Sequence, residues 1–536
     1  MRVLPFFLVA ILGVASALSK NRVRKRFILT LAPKETCGTA CVDRVKNAVT
    51  SLLFQGKPAR CEVVRHNENL RMLTIQCGCV RSDTTAMLLN ERMKEIEGVR
   101  HSCQDAILTT IPTDSSVHDE GTGSPETAMF QPISREVLPN GFVPYNWGVD
   151  RINEESSPLD KLPMDFSCYP NQGKGVRIFV IDTGCRTDHD EFVNIEITTE
   201  KAPGSAFHSG KDDHGHGTHI AAVVGGANVG MARKASITCI KAFDKNGNGA
   251  ATDTIAAVEH VLAEKAKNTS VPFVVNLSYS ALTGFTTTPL DEIVYSSSAH
   301  GIVFVVSAGN AAVNSCFFSP SKAEQAFTVA ASTKRDTLEV DSNIGPCVEF
   351  IAPGHEIVSA GIKSPVEYES MNGTSMATPH ISGLSALVLA ENSHMQSSPD
   401  TVRDSLYEIL LTRTANVSNF MMPLMHTSCD ASQEDVKTRR LKSTAAAVGP
   451  VETREPNLDA SEDDEDNLLP IESPELMEIL SASPPPPSST PSQALSEQTL
   501  TEQRHDLNSA PEKRRTKSRK PKDILLVLIN WLRKNS

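Results

Sequence analysis

The sequence predicts an α/β protein: a mostly parallel central sheet with helices on both faces, preceded by a small α+β domain and followed by a disordered tail. Three observations carry that expectation. Between 143 and 430, short apolar runs (Val176 to Ile181, Ala235 to Phe243, Phe273 to Leu277, Ile302 to Val306, Phe327 to Ala331) alternate with helical patterns, as strands buried on both faces require. Residues 18–112 mix strand-like alternation with amphipathic helical spacing. Residues 431–536 hold the acidic run Glu462 to Asp466, the run Pro484 to Pro487 and the basic stretch Lys513 to Lys522. That composition cannot bury enough apolar surface to fold by itself.

The elements follow in chain order. Arg2 precedes the apolar run Val3 to Val14 and the small residues Ala15-Ser16-Ala17, which is the pattern of a secretory signal peptide spanning 1–17. Secretion is the implied localisation, and the 12 cysteines then belong in an oxidising compartment as disulfide formers. Six lie at Cys37, Cys41, Cys61, Cys77, Cys79 and Cys103, and six at Cys168, Cys185, Cys239, Cys316, Cys347 and Cys429. Each half can close on itself, and the count leaves connectivity open. Arg26 to Leu31 and Arg71 to Gln76 alternate as strands, while Cys41 to Phe54 and Asp83 to Glu97 have helical spacing. Residues 113–142, rich in Ser, Pro, Gly and Asp, read as an exposed linker with the processing site in or near it. Asp523 to Arg533 reads as a short amphipathic helix for a membrane surface or a partner.

Charge excludes one class of function. With 64 acidic and 52 basic residues, net −12, the chain is not held mainly on nucleic-acid phosphates. After the N-terminus no apolar run approaches the ~20 residues that span a bilayer.

In parallel sheets functional groups gather at the carboxyl ends of strands. Three apolar runs end in polar signatures there: Asp182-Thr183-Gly184, Ser278-Tyr279-Ser280 and Ser307-Ala308-Gly309-Asn310. Two further segments open helices. Asp213-His214-Gly215-His216-Gly217-Thr218-His219 leads into Ile220 to Val224, and Asn372-Gly373-Thr374-Ser375-Met376-Ala377-Thr378-Pro379-His380 into Ile381 to Ala390. Hydrolysing an amide needs a hydroxyl activated by an imidazole, a carboxylate to orient that imidazole, and donors for the oxyanion. Ser375, His216, Asp182 and Asn310 fill those roles. Ser375 opens a helix with free N–H groups, and Gly373 leaves room where a substrate backbone approaches.

The order Asp, His, Ser is that of subtilisin. Asp-Thr-Gly, His-Gly-Thr-His and Gly-Thr-Ser-Met-Ala-Thr-Pro-His together resemble the subtilisin family of serine proteases over about residues 145–425. Trp147-Gly148-Val149-Asp150-Arg151-Ile152, and the stretch Gly225-Gly226 to Ala232-Arg233-Lys234 without an asparagine-rich calcium loop, resemble its proteinase K-like branch. The resemblance implies a subtilisin-like catalytic domain over 143–430 and an inhibitory, ferredoxin-like propeptide over 18–112. The six cysteines of that propeptide depart from the usual cysteine-poor pattern. A zymogen follows: a secreted monomeric endopeptidase of protein or peptide substrates, held by its own propeptide.

Further residues come by the same resemblance. Substrate would lie against Ser278, Tyr279, Ser280, Ala281 and against Ser307, Ala308, Gly309, with Ser280 and Ala281 where the family has two glycines. Phe317 and Phe318 suggest an apolar pocket floor, hence uncharged side chains before the scissile bond. Cys316 and Cys347 resemble a disulfide of thermophilic relatives. Glu349, with carbonyls near Glu324 and Ala326, falls where that branch binds a structural calcium; the chemistry itself needs no cofactor. Asn268 and Asn416 lie in polar glycosylation patterns, whereas Asn276 and Asn372 match the pattern inside cleft or core segments. Two rival readings differ in class. One is a self-cutting fold that keeps its propeptide and works as a binding protein. The other, an α/β-hydrolase esterase, fails because Ser375 lacks the Gly-x-Ser-x-Gly elbow. A zinc cluster at His214, His216 and His219 yields to the triad role of His216.

Overall fold

The structure is a computed structural model describing residues 22–110, 131–132, 145–411, 414–415 and 424–425, apart from 55, 81–82, 155–158, 160–165 and 284–287. The signal peptide, most of the linker, the tail, Asn416 and Cys429 lie outside the described residues.

The N-terminal domain runs β1 (Arg22–Leu31), α1 (Thr39–Thr50), β2 (Cys61–Asn67), β3 (Met72–Cys77), α2 (Asp83–Lys94) and β4 (Val99–Thr109). Its antiparallel strands lie in the order β4-β1-β3-β2, the ferredoxin-like arrangement. Alternation along β1 decides what each face meets. Phe27, Leu29 and Leu31 pack with Val42, Val45 and Val49 of α1 and Leu89 and Met93 of α2. Ile28, with Met72 and Leu108, packs instead into the core of the larger domain. The strand periodicity of 26–31 and 71–76 thus holds, but β2 and β4 escape it. β4 carries Arg100, His101, Gln104 and Asp105 because its partners are polar groups of the next domain.

The larger domain begins with α3 (Trp147–Asn153) and then β5 (Arg177–Asp182), β6 (Ile197–Lys201), α4 (His216–Gly225), β7 (Ser236–Lys241), β8 (Asn248–Ala250), α5 (Ala251–Lys267) and β9 (Phe273–Leu277). It continues through α6 (Pro289–Ser298), β10 (Ile302–Ser307), β11 (Ala326–Ser332), β12 (Phe350–Pro353), β13 (Tyr368–Met371), α7 (Thr374–Glu391) and α8 (Val402–Leu411). Its main sheet has the order β12-β11-β10-β9-β5-β7-β6 in parallel, with the pairs 424–425 and 414–415 beyond β12. Two separate cores cover its faces, one holding the buried parts of α4 and α7, the other those of α5 and α6. Every residue of α7 from Thr374 to Leu389 is buried, so this helix is enclosed on all sides rather than presenting one face to solvent.

Disulfides join Cys37–Cys41, Cys61–Cys77, Cys185–Cys239 and Cys316–Cys347, the last being the pair the resemblance implied. Cys168 is also disulfide-bonded. In the linker, Gln131–Pro132 pairs with Glu369 and Ser370 of β13, an anchorage its polar composition did not disclose. No helix among the described residues is long and apolar enough to cross a membrane.

Candidate active site

Asp182 ends β5 at the carboxyl edge of the sheet and is fully buried. Its Oδ1 lies 2.8 Å from His216 Nδ1 and accepts the Thr183 N–H at 2.7 Å. His216 opens α4 after Gly215, whose φ of 112° is a conformation that favours glycine. Gly217 must also stay bare, since a Cβ there would meet the Gly184 carbonyl at 2.2 Å. Its N–H donates to the Thr183 hydroxyl at 2.8 Å, so Thr183 ties the strand carrying Asp182 to the helix carrying His216. Asp212 accepts from the backbone of His214, Gly215 and Thr218 and shapes the entering loop. Burial pushes His219 down to about 3, leaving a neutral ring bonded to the Ile357 carbonyl, a structural role.

Ser375 lies in the first turn of α7, whose entry at Gly373 has φ 129°. Its hydroxyl donates to the Ser278 carbonyl at 2.8 Å, and the Ser278 hydroxyl donates back to the Ser375 carbonyl at 2.9 Å. His216 Nε2 is buried and has no hydrogen-bond partner among the described residues. The Ser375 hydroxyl thus rests on the backbone, and His216 Nε2 stays open to a donor. Catalytic hydrogen bonds often tighten only when substrate binds.

Asn310 follows β10. Thr374 fixes its orientation, since both the Thr374 N–H (2.9 Å) and its hydroxyl (2.8 Å) donate to Asn310 Oδ1. The amide nitrogen is thereby left to face the open side of Gly373, 2.9 Å from where a Cβ would stand. An amide N–H so held, near the first-turn N–H groups of α7, has the chemistry to donate to an anionic oxygen. Sequence reading missed Thr183 and Thr374 because a threonine next to a functional residue carries no pattern of its own.

The segments expected to line a substrate divide. Ser278 is buried and accepts from Asn276 Nδ2, and the Tyr279 ring packs on Phe243 with its hydroxyl 3.1 Å from Thr254 Oγ1. Both are framework by their side chains. Ser280 bridges Thr109 of the N-terminal domain, and Ala281 pairs with Ser319. Ser307 accepts from the Ser321 hydroxyl, Ala308 from Asn343 Nδ2, and the Gly309 N–H donates to the Thr374 hydroxyl. Asn268 caps α5, and its amide nitrogen donates to the Glu264 carbonyl.

The N-terminal domain meets this region directly. β4 adds to β8, pairing Ile107 to Thr109 with Asn248 to Ala250, and the Thr110 N–H donates to the Gly247 carbonyl at 2.9 Å. Asp105, fully buried, accepts the Thr252 N–H and hydroxyl at the start of α5, with Arg26 beside it. Glu259 of α5 in turn accepts the N–H groups of Asn69 and Leu70.

At Glu349, Oε2 accepts the Thr328 N–H at 2.7 Å, and Arg403 Nη2 stands 3.7 Å from Oε1. The Arg403 guanidinium is also held over the rings of Phe327 and Tyr407. Calcium takes about six to eight oxygen ligands. A carboxylate that already faces a guanidinium does not fit that ion.

The fold and the site define a doubly covered parallel α/β protein with a buried Asp–His couple, a helix-opening serine and an oriented amide. Residues 173–437 match the Subtilase family of S8 peptidases, and the chain belongs to that family. It is 37% identical to the extracellular serine proteinase of Thermus sp. (strain Rt41A) over 248 residues, 46% of this chain and 57% of that one. It is 36% identical to alkaline serine exoprotease A of Vibrio alginolyticus (47% of this chain, 45% of that one). With the subtilase-type proteinase psp3 of Schizosaccharomyces pombe the identity is 31%, over 54% of this chain and 64% of that one. The chain thus spans about half to two-thirds of the length of these relatives. The crystal structure of a cold adapted subtilisin-like serine proteinase is similar at 31% identity, 54% of this chain, 100% of that chain and a TM-score of 0.47.

Proposed function

We propose that this chain is a secreted serine endopeptidase made as a zymogen, acting as a monomer on protein or peptide substrates. The observation that carries the reading is the buried 2.8 Å Asp182–His216 contact with an unpartnered Nε2; Thr374, which orients the Asn310 amide and precedes Ser375, supports it. Ser375 Oγ attacks the peptide carbonyl carbon while its proton passes to His216 Nε2. Asp182 holds the ring and stabilises the imidazolium; Asn310 and the first-turn N–H of Ser375 receive the oxyanion. The C–N bond then breaks as His216 returns the proton to the leaving amine, and water repeats the sequence to free Ser375. No cofactor takes part.

Pairing of β4 with β8, and of Thr109 with Ser280, supports an inhibitory propeptide that occupies the substrate track. Leu108, fully buried between the domains, stands as the model of an apolar substrate residue. Uncharged residues before the scissile bond, a glycan on Asn268 and the proteinase K-like branch belong to the same reading. The same contacts favour one alternative, a self-processed protein that keeps its N-terminal domain as a binding module. Purified secreted chain, with Ser375→Ala as control, decides between them. Peptide hydrolysis after the domains separate supports the enzyme; self-cleavage without turnover of any peptide supports the binder. A wild-type chain that neither cuts itself nor reacts with a fluorophosphonate at Ser375 overturns both.

A further inference from the structure

Lys241 closes β7, and its side chain is buried beside Cys239 and Ile240 of the same strand. The register pairs it with Asp182. Its ammonium donates to the Thr183 carbonyl at 2.8 Å and to Asp213 Oδ1 at 2.6 Å, and it lies 5.3 Å from the centre of the Phe207 ring. One cation therefore joins the residue after Asp182 to the residue three before His216. The Thr183 hydroxyl joins the same backbone to Gly217, the residue after His216. A buried lysine costs more than the leucine or valine that would continue this strand, so its placement calls for a reason.

The ties hold the aspartate strand and the histidine loop in one register, which sets the distance between their side chains. Asp213 is more than half exposed, so the buried inner end of the tie, at Thr183, is the firmer one.

We propose that Lys241 is a positioning residue for the Asp182–His216 couple, its ammonium holding the strand end that carries Asp182 against the loop that leads to His216. This rests on the endopeptidase reading above. The test compares wild type, Lys241→Met and Asp213→Asn, each as the full secreted chain, by kcat and KM separately and by fluorophosphonate labelling of Ser375. In Lys241→Met, kcat falls about tenfold with KM within about twofold. Asp213→Asn loosens only the outer end of the same tie and lowers kcat about threefold with KM unchanged; it carries the test if Lys241→Met does not fold. Unchanged kinetics in folded Lys241→Met, or in Asp213→Asn where Lys241→Met does not fold, overturns the proposal. Failure of wild type to label or hydrolyse is a different result; it removes the reading beneath, and this inference with it.

Discussion

Single atoms decide the chemistry of this chain. Asn310 is useful because its oxygen is already spent on Thr374, so its nitrogen has one direction left to point. Asn310→Ala should lower kcat by about 100- to 1000-fold with little change in KM, read from steady-state peptide hydrolysis. Thr374→Val keeps the amide but frees it to turn, and a smaller loss, about tenfold, is the expectation. A Thr374→Val enzyme as slow as Asn310→Ala would mean that Thr374 does more than aim. The aspartate, histidine, serine and asparagine were all legible in the sequence, since each sits in a motif at a strand or helix end. Thr183, Thr374 and Lys241 were not, because each acts across the fold on a residue distant in sequence or through a hydroxyl that any threonine carries. Tyr279 and Ser278 were legible as a segment but not as side chains. Which face a strand end presents is set by packing, here by Phe243 and Asn276.

At the scale of elements, helix α5 lacks a cap of its own. The residue preceding it is Ala250, which offers no side-chain acceptor, and the acceptor comes instead from Asp105 on β4. Capping bonds of this kind are worth about 1 kcal/mol. Asp105→Ala should therefore weaken the hold of the N-terminal domain about fivefold, measured as earlier release of that domain after the linker is cut. Unaltered release would show that the domain is held without this cap, by contacts such as that of Arg65, which donates to the Thr252 carbonyl. The parallel sheet was readable from its apolar runs because strands buried on both faces have no polar side to hide. β2 and β4 were not. Their side chains answer to another domain and to solvent, so neither alternation nor apolarity marks them.

For the molecule as a whole, burial between the domains pushes Asp105 up to about 6, against its hydrogen bonds from Thr252 and the charge of Arg26. Separation returns the carboxyl to water and to about 4, its ordinary range. A group raised in the docked state makes docking strongest where it is protonated in both states, below about 4, and weaker as pH rises from there through about 6. Docking of the N-terminal domain should thus loosen from pH 4.5 toward pH 7; tightening over that interval would contradict this account. A second prediction concerns Glu349, whose carboxyl is pushed up to about 8 by burial, with Arg403 opposing. Chelators should leave the melting temperature unchanged, whereas Arg403→Ala should cost about 1–3 kcal/mol in thermal unfolding. A large calcium-dependent shift in the wild type would restore the metal at this site.

The pairing of β4 with β8 reaches further. Once the guest strand departs, the host edge offers a row of main-chain donors and acceptors that every polypeptide can match and that water satisfies less tightly than a neighbouring chain. Under the endopeptidase reading proposed above, a bound chain would have to lend several consecutive residues, straightened and unpaired, so frayed segments and flexible tails would be shorn before well-knit globules.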